Sequence, residues 1–249
     1  MGYVLVTGAS SGVGREVAIT LSKKYHLILC GRNEMALQQT KALCNPACRI
    51  VFWKYDFTQL SHLEDDFVNM MGEHSYDVVG FVHCAGILQM LPIRMISLAR
   101  LEEEFSVHVF AAALLTKLLA SKRVNGKKLK SVVYISSNIS NRGARAFSMY
   151  GASKAALDGL MRNLAIELSP QVRVNSVLPG SMRTKMTEEI FSQSKSMDQL
   201  AEHFPGGIGS PRQIASVVAF LLSEQASWVN GQQITVDGGR NIDLTEREG

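Results

Sequence analysis

Tyr3-Val4-Leu5-Val6-Thr7-Gly8-Ala9-Ser10-Ser11-Gly12-Val13-Gly14 is the stretch that decides the fold. A short apolar run, suited to one buried strand, passes through a glycine-rich turn into a segment with helical periodicity. Strand, glycine turn and helix in that order form the context a dinucleotide site requires. The glycines let backbone N–H groups approach a pyrophosphate, and the helix offers its positive end. The spacing is Gly-x-x-x-Gly-x-Gly, at Gly8, Gly12 and Gly14, not the commoner Gly-x-Gly-x-x-Gly.

Outward from that turn, short apolar runs alternate with amphipathic stretches, the pattern of stacked βαβ units. The runs predict strands at Tyr3–Thr7, His26–Cys30, Arg49–Trp53, Val78–His83, Ser131–Ser137, Arg173–Val177 and Gln233–Val236. Helices are predicted at Val13–Lys24, Glu34–Leu43, Leu60–Gly72, Leu98–Arg123, Tyr150–Leu168 and Pro211–Ser223. Asn33 and Ser210 suit N-caps, and Pro211 suits a first helical position. The expected fold is α/β: one domain over residues 1–249, a doubly wound parallel sheet of about seven strands with helices on both faces. Residues 185–209 break the alternation, and an insertion after a strand's carboxyl end is where a substrate loop belongs.

The charge balance, 26 basic against 22 acidic residues for a net +4, favours phosphorylated ligands only mildly and does not argue for nucleic acid. Basic residues gather at Lys122, Arg123, Lys127, Lys128 and Lys130; a solvated loop is the first reading and an acidic acyl carrier the second. No apolar segment approaches the ~20 residues of a membrane span, and no signal peptide precedes the glycine turn. Cys44-x-x-x-Cys48 lacks a second pair, so no metal site is expected. With Cys30 and Cys84 the cysteine count is four, read as reduced thiols of a cytoplasmic protein, although an even count leaves a disulfide open.

A second constellation lies in Tyr150-Gly151-Ala152-Ser153-Lys154. Four residues apart on a helix, the phenol and the amine project from one face. A phenol with a pKa near ~10 is a poor acid or base at neutral pH, and an adjacent ammonium is expected to lower it. Ser137 closes the strand of Ser131, where its hydroxyl can stand beside the phenol. Ser136, alternating to the other side, is not expected to do so.

These motifs together resemble the short-chain dehydrogenase/reductase family. The likeness runs from about Val4 to Gly239 and its motifs fall in family order: Thr7 to Gly14, Asp56, His83-Cys84-Ala85-Gly86, Ser137, Tyr150 with Lys154, Pro179-Gly180, and Val236-Asp237-Gly238-Gly239. The resemblance implies a Rossmann-type fold and a nicotinamide cofactor held by Gly8, Ser10, Ser11, Gly12, Val13 and Gly14. Further cofactor contacts are implied for Arg32, Asp56 (at the adenine), Phe57, Cys84, Ala85, Gly86, Pro179, Gly180, Met182 and Thr184 (at the carboxamide). It implies that Tyr150 exchanges a proton with the carbonyl or alcohol oxygen during hydride transfer. Ser137 would hold that oxygen, and Lys154 would bind the nicotinamide ribose while lowering the Tyr150 pKa.

Gly31 stands where the family's NAD-selective members carry an acid, and Arg32 follows it. A glycine leaves room for a 2′-phosphate and a guanidinium can bind it, so NADP(H) is the expected cofactor, unless Arg32 is simply a surface arginine. Two motifs depart from the pattern. Asn-Asn-Ala-Gly appears as His83-Cys84-Ala85-Gly86. His108 stands where the family commonly has an asparagine that supports a water relay to the active-site lysine. His108 either substitutes in that relay, marks a weakened one, or is a packed helix histidine.

The C-terminal half, Val174 to Gly180 with Thr184 and Met186, most resembles 3-oxoacyl-[acyl-carrier-protein] reductases. The expected activity is therefore NADP(H)-dependent reduction of a ketone to a secondary alcohol, or its reverse, on a small-molecule carbonyl/alcohol substrate. A sugar, polyol or other small-ketone enzyme is the alternative, and a non-catalytic NADPH sensor is the alternative of another class. Ala111 to Leu115 and Ala155 to Leu157 suggest surplus apolar helix surface, of the kind relatives pair into homodimers or homotetramers.

Overall fold

A computed structural model describes residues 1–73, 76–184, 186–187 and 205–243. Seven parallel strands form one sheet: β1 Tyr3–Thr7, β2 His26–Gly31, β3 Ile50–Lys54, β4 Val78–His83, β5 Ser131–Ile135, β6 Arg173–Pro179 and β7 Gln233–Val236. Their order is β3-β2-β1-β4-β5-β6-β7, so the winding reverses between β1 and β4. In a doubly wound sheet that reversal opens a crevice at the carboxyl ends of the strands.

Side-chain alternation splits the core in two. Leu5, Ile28, Phe81, Val132 and Tyr134 face one way. They pack beneath α3 (Leu63–Glu73), α5 (Ala111–Ala120) and α7 (Ser148–Glu167). Val4, Val6, Leu27, Leu29, Val82 and Val133 face the other way, against α1 (Gly12–Leu21), α2 (Glu34–Leu43) and α8 (Pro211–Leu222). With both faces covered, the strands read as apolar runs rather than alternating ones. Asn33 caps α2, accepting from the Ala36 N–H at 3.0 Å. At α8, Gln213 Oε1 accepts from the Ser210 N–H at 2.7 Å and Pro211 takes the first helical position.

The single helix expected over Leu98–Arg123 is three. α4 (Leu98–Phe105) runs into a π-helical turn, Ser106–Phe110, before α5. The cause is a tertiary bond: Val107 O accepts from His83 Nε2 at 2.9 Å, and the Ala111 N–H reaches back to Ser106 O. At Ser121 the chain is extended, and the Ser121 hydroxyl accepts from the Arg123 N–H to start α6 (Lys122–Asn125), which Gly126 ends at φ +57°.

The basic cluster Lys122 to Lys130 is exposed and leads into the amino end of β5. The crevice lies at the other end of that strand, so the cluster is not placed to present an acyl carrier to it. Ala111, Ala112, Leu115 and Leu157 are buried within the chain, whereas Ala113, Leu114 and Ala156 are half-buried and Phe110 and Ala155 exposed, so only part of the expected apolar helix surface is used internally. Most of the segment 185–209 lies outside the described residues. Among the described residues no helix is long and apolar enough to cross a membrane, and the four cysteines are free thiols.

Candidate active site

One cleft of about 700 Å³ crosses the carboxyl edge of the sheet. Every residue expected at the cofactor site lines it: Gly8, Ser10, Ser11, Gly12, Val13, Gly14, Arg32, Asp56, Phe57, Cys84, Ala85, Gly86, Pro179, Gly180, Met182 and Thr184. His108, Ser137, Tyr150 and Lys154 line its other end.

The floor is shaped by close backbone approach. A Cβ on Gly14 would collide with the Gly8 carbonyl, and one on Gly8, at φ +64°, would come within 2.8 Å of the Cys84–Ala85 peptide. A Cβ on Gly12 would lie in ordinary contact with Thr184, at 3.8 Å. Ser11 is extended and its side chain makes no cap on α1, so the first-turn N–H groups face the cleft. Uncapped amides at a helix start, reached over glycines, fit a pyrophosphate. At the far end Arg32 and Asp56 form an exposed ion pair at 3.8 Å. Asp56 also accepts from the Thr58 N–H and hydroxyl, so it braces its own loop while facing the cleft.

Tyr150 and Lys154 lie one turn apart on α7. The Ser137 hydroxyl eases ionisation of the Tyr150 phenol and accepts from the Ile139 N–H at 3.2 Å. Ser136 bonds instead to Asp158 at 2.9 Å, on the other side of the strand end. Lys154 Nζ donates to Ile135 O at 3.0 Å and stands 5.7 Å from the Tyr150 ring centre.

Here the electrostatic expectation is reversed. Burial, aided by Glu104, outweighs the Ser137 bond and pushes the Tyr150 phenol up to about 12. Burial likewise brings Lys154 down to about 8, against the pull of Asp158. The cleft wall desolvates both groups, which works against the Tyr150 phenolate and against the Lys154 ammonium.

The histidines that break the family pattern are part of the scaffold. Thr7 Oγ1 accepts from the Cys84 and Ala85 N–H groups, so its proton goes to His83 Nδ1 at 2.9 Å, and His83 Nε2–H donates to Val107 O. His108 Nε2 accepts from the Ile87 N–H at 3.0 Å, so Nδ1–H donates to Ser153 Oγ at 2.8 Å. Ser153 in turn donates to Tyr150 O. Burial drives both rings toward the neutral form, His83 down to about 3. With both nitrogens of His108 bonded within the protein, the ring fits the reading of a packed helix histidine. It ties the loop after β4 to the helix of Tyr150. Sequence reasoning missed Glu104, buried beside this pair, and the apolar walls Ile139 and Phe147. Only their place in the fold reveals them.

This sheet and cleft define a nucleotide-binding oxidoreductase of the Rossmann type. A family model described as Enoyl-(Acyl carrier protein) reductase matches residues 8–241. The L-xylulose reductase of Caenorhabditis elegans is 32% identical over 95% of this chain and 94% of its own. The 3-oxoacyl-[acyl-carrier-protein] reductase FabG of Aquifex aeolicus is 32% identical over 94% of this chain and 95% of its own. Among solved structures, 4-hydroxyisoleucine dehydrogenase complexed with NADH superposes with a TM-score of 0.87 at 26% identity, covering 98% of this chain and 100% of that one. The chain belongs to the short-chain dehydrogenase/reductase family, and it is an oxidoreductase acting on carbonyl/alcohol substrates.

Proposed function

We propose that this chain is an NADP(H)-dependent reductase of ketones with an apolar substituent, of the 3-oxoacyl-thioester kind. The observation that carries the reading is the wall beside Ser137 and Tyr150. Ile87, Leu88, Ile139, Phe147 and Met186 line it, and the Phe147 ring lies 6.0 Å from that of Tyr150. Such a wall suits an acyl chain better than a polyol, whose hydroxyls would be stripped of water without partners.

When bound, the nicotinamide supplies the hydride for reduction and accepts it in the reverse direction. Tyr150 gives its proton to the carbonyl oxygen, and Ser137 holds that oxygen as negative charge develops. Lys154 would hold the cofactor's ribose, and its ammonium would favour proton loss from the phenol against the burial that opposes it. Arg32 beside Gly31 would hold the 2′-phosphate through charge-assisted hydrogen bonds, in place of its exposed pairing with Asp56.

Purified protein with NADPH should turn over an acetoacetyl thioester far faster than xylulose. The reverse ranking would favour the sugar reading. NADPH binding with no turnover of chemically diverse ketones would leave the sensor. In the same assay Arg32→Ala should weaken NADPH binding by roughly tenfold to a hundredfold, the range of a lost charged hydrogen bond, with NADH affinity changed little. Equal small effects on both cofactors would return Arg32 to the solvated surface.

A further inference from the structure

Glu104 is the one buried residue of α4, only 1% exposed, and its Oε1 has no hydrogen-bond partner. Its neighbour Glu103 is spoken for, accepting from Gln89 at 3.0 Å. α4 packs on α7, the helix that carries Tyr150 and Lys154. A buried, unpartnered carboxylate is costly to ionise. Two outcomes relieve that cost: the acid keeps its proton, or its charge is balanced by a nearby cation.

The groups acting on this region come from three elements. From α4 there is Glu103, and from α7 there are Tyr150, Lys154 and Asp158, the last with Oδ2 on Ser136 and Oδ1 unpartnered. From the end of β4 there is Cys84, which faces Lys154. One helical turn beyond Glu104, His108 has both nitrogens bonded.

We propose that Glu104 holds a proton on the acid side of neutrality and releases it to solvent on the alkaline side, and so sets the charge that Lys154 and Tyr150 experience. It is a positioning residue: it touches neither substrate nor cofactor and acts through the pair on α7. This rests on the reading of Tyr150 and Lys154 given above.

The direction follows from the charges. Burial pushes Glu104 up to about 7, while Lys154 pulls it down. Ionised Glu104 supports the Lys154 ammonium and opposes a Tyr150 phenolate. Losing its proton therefore keeps Tyr150 as a proton donor, the form ketone reduction needs. Gaining it removes that support.

The test uses ligand-free full-length protein, so that it does not depend on finding a substrate. The Lys154 Nζ titration is followed by ¹⁵N NMR of labelled lysine, assigned with K154R. In E104Q the Lys154 titration should move down by at least about half a pH unit, as expected on removing an opposite charge nearby. An unmoved titration overturns the proposal. E104L, neutral and apolar, repeats the measurement if E104Q does not fold.

Thermal stability gives a second readout. The carboxyl is raised in the folded chain, from 4.5 to about 7. The native state thus binds the extra proton between those values, and wild type should lose stability relative to E104Q as pH rises through that window, with no further change above it. A constant difference from pH 4 to 8 would mean that Glu104 is not titrating there, against the proposal. In the active enzyme the alkaline limb of ketone reduction should shift down with Lys154 in E104Q. Failure of wild type to reduce any ketone would sink the proposed function while the NMR titration still reads out. An active wild type whose limb is unchanged in E104Q would sink this inference alone.

Discussion

Tyr150→Phe is expected to lower ketone reduction by on the order of 10³-fold or more, within or beyond the usual span for a lost general acid, while cofactor affinity and thermal stability change little. The phenol hydroxyl is acted on by Ser137 at the cleft, and the ring itself packs against Phe147 and edge-on to His108, 5.6 Å away. Phenylalanine keeps those ring contacts and removes the proton. A residual rate within tenfold of wild type would rule out Tyr150 as the donor.

The pH dependence carries a sign that tests the same site. Tyr150, pushed up to about 12, stays protonated across the neutral range, so the donor itself does not limit reduction there. Lys154, brought down to about 8, loses its ammonium as pH rises through that value. Reduction should therefore be level below about pH 8 and fall above it. Alcohol oxidation needs the phenol to release its proton, which burial opposes, so reduction should dominate at neutral pH. An activity that instead rises through pH 8 in the reducing direction would contradict the role of Lys154.

The second large effect is expected at Gly14→Ala. Its new methyl group would meet the Gly8 carbonyl, backbone against backbone, and stand 3.1 Å from Ala9 N. Over-packing commonly costs ~1–3 kcal/mol, and with no side chain able to yield, the upper end is expected. Relief requires α1 to move off β1, which spreads the N–H groups that face the cleft. NADPH affinity should fall more than about tenfold, in line with a lost charge-assisted contact. Gly12→Ala is the control: φ is +54°, so it carries backbone strain, but its Cβ would lie 3.8 Å from Thr184 and meet no wall. Equal losses from the two substitutions would mean that left-handed geometry, not close approach, shapes this turn.

Much of this molecule was legible in its sequence. Strands buried on both faces leave unbroken apolar runs, and these placed all seven to within a few residues. Gly8 and Gly14 were legible because only glycine tolerates those backbone approaches, and Gly12 because its φ of +54° suits glycine. Tyr150 and Lys154 were legible because helical spacing is local. What escaped depends on contacts between distant segments. The π-helical turn exists because His83 claims the Val107 carbonyl, a bond spanning 24 residues. Glu104 sits in the run Glu102-Glu103-Glu104, which reads as a solvated face until the helix phase is known. The shift of Tyr150 was read with the wrong sign because proximity to a cation can be inferred from spacing, whereas desolvation cannot.

His83 and His108 take hold of one turn from opposite sides, the first through the Val107 carbonyl and the second through the neighbouring side chain itself. Each uses one nitrogen to give and one to receive, so neither has spare valence for a new neighbour. A shorter amide at position 83 would release the Val107 carbonyl, and one at position 108 would strip the Ile87 N–H of its acceptor, so each histidine fixes its own side of the joint between the loop after β4 and the helices above it.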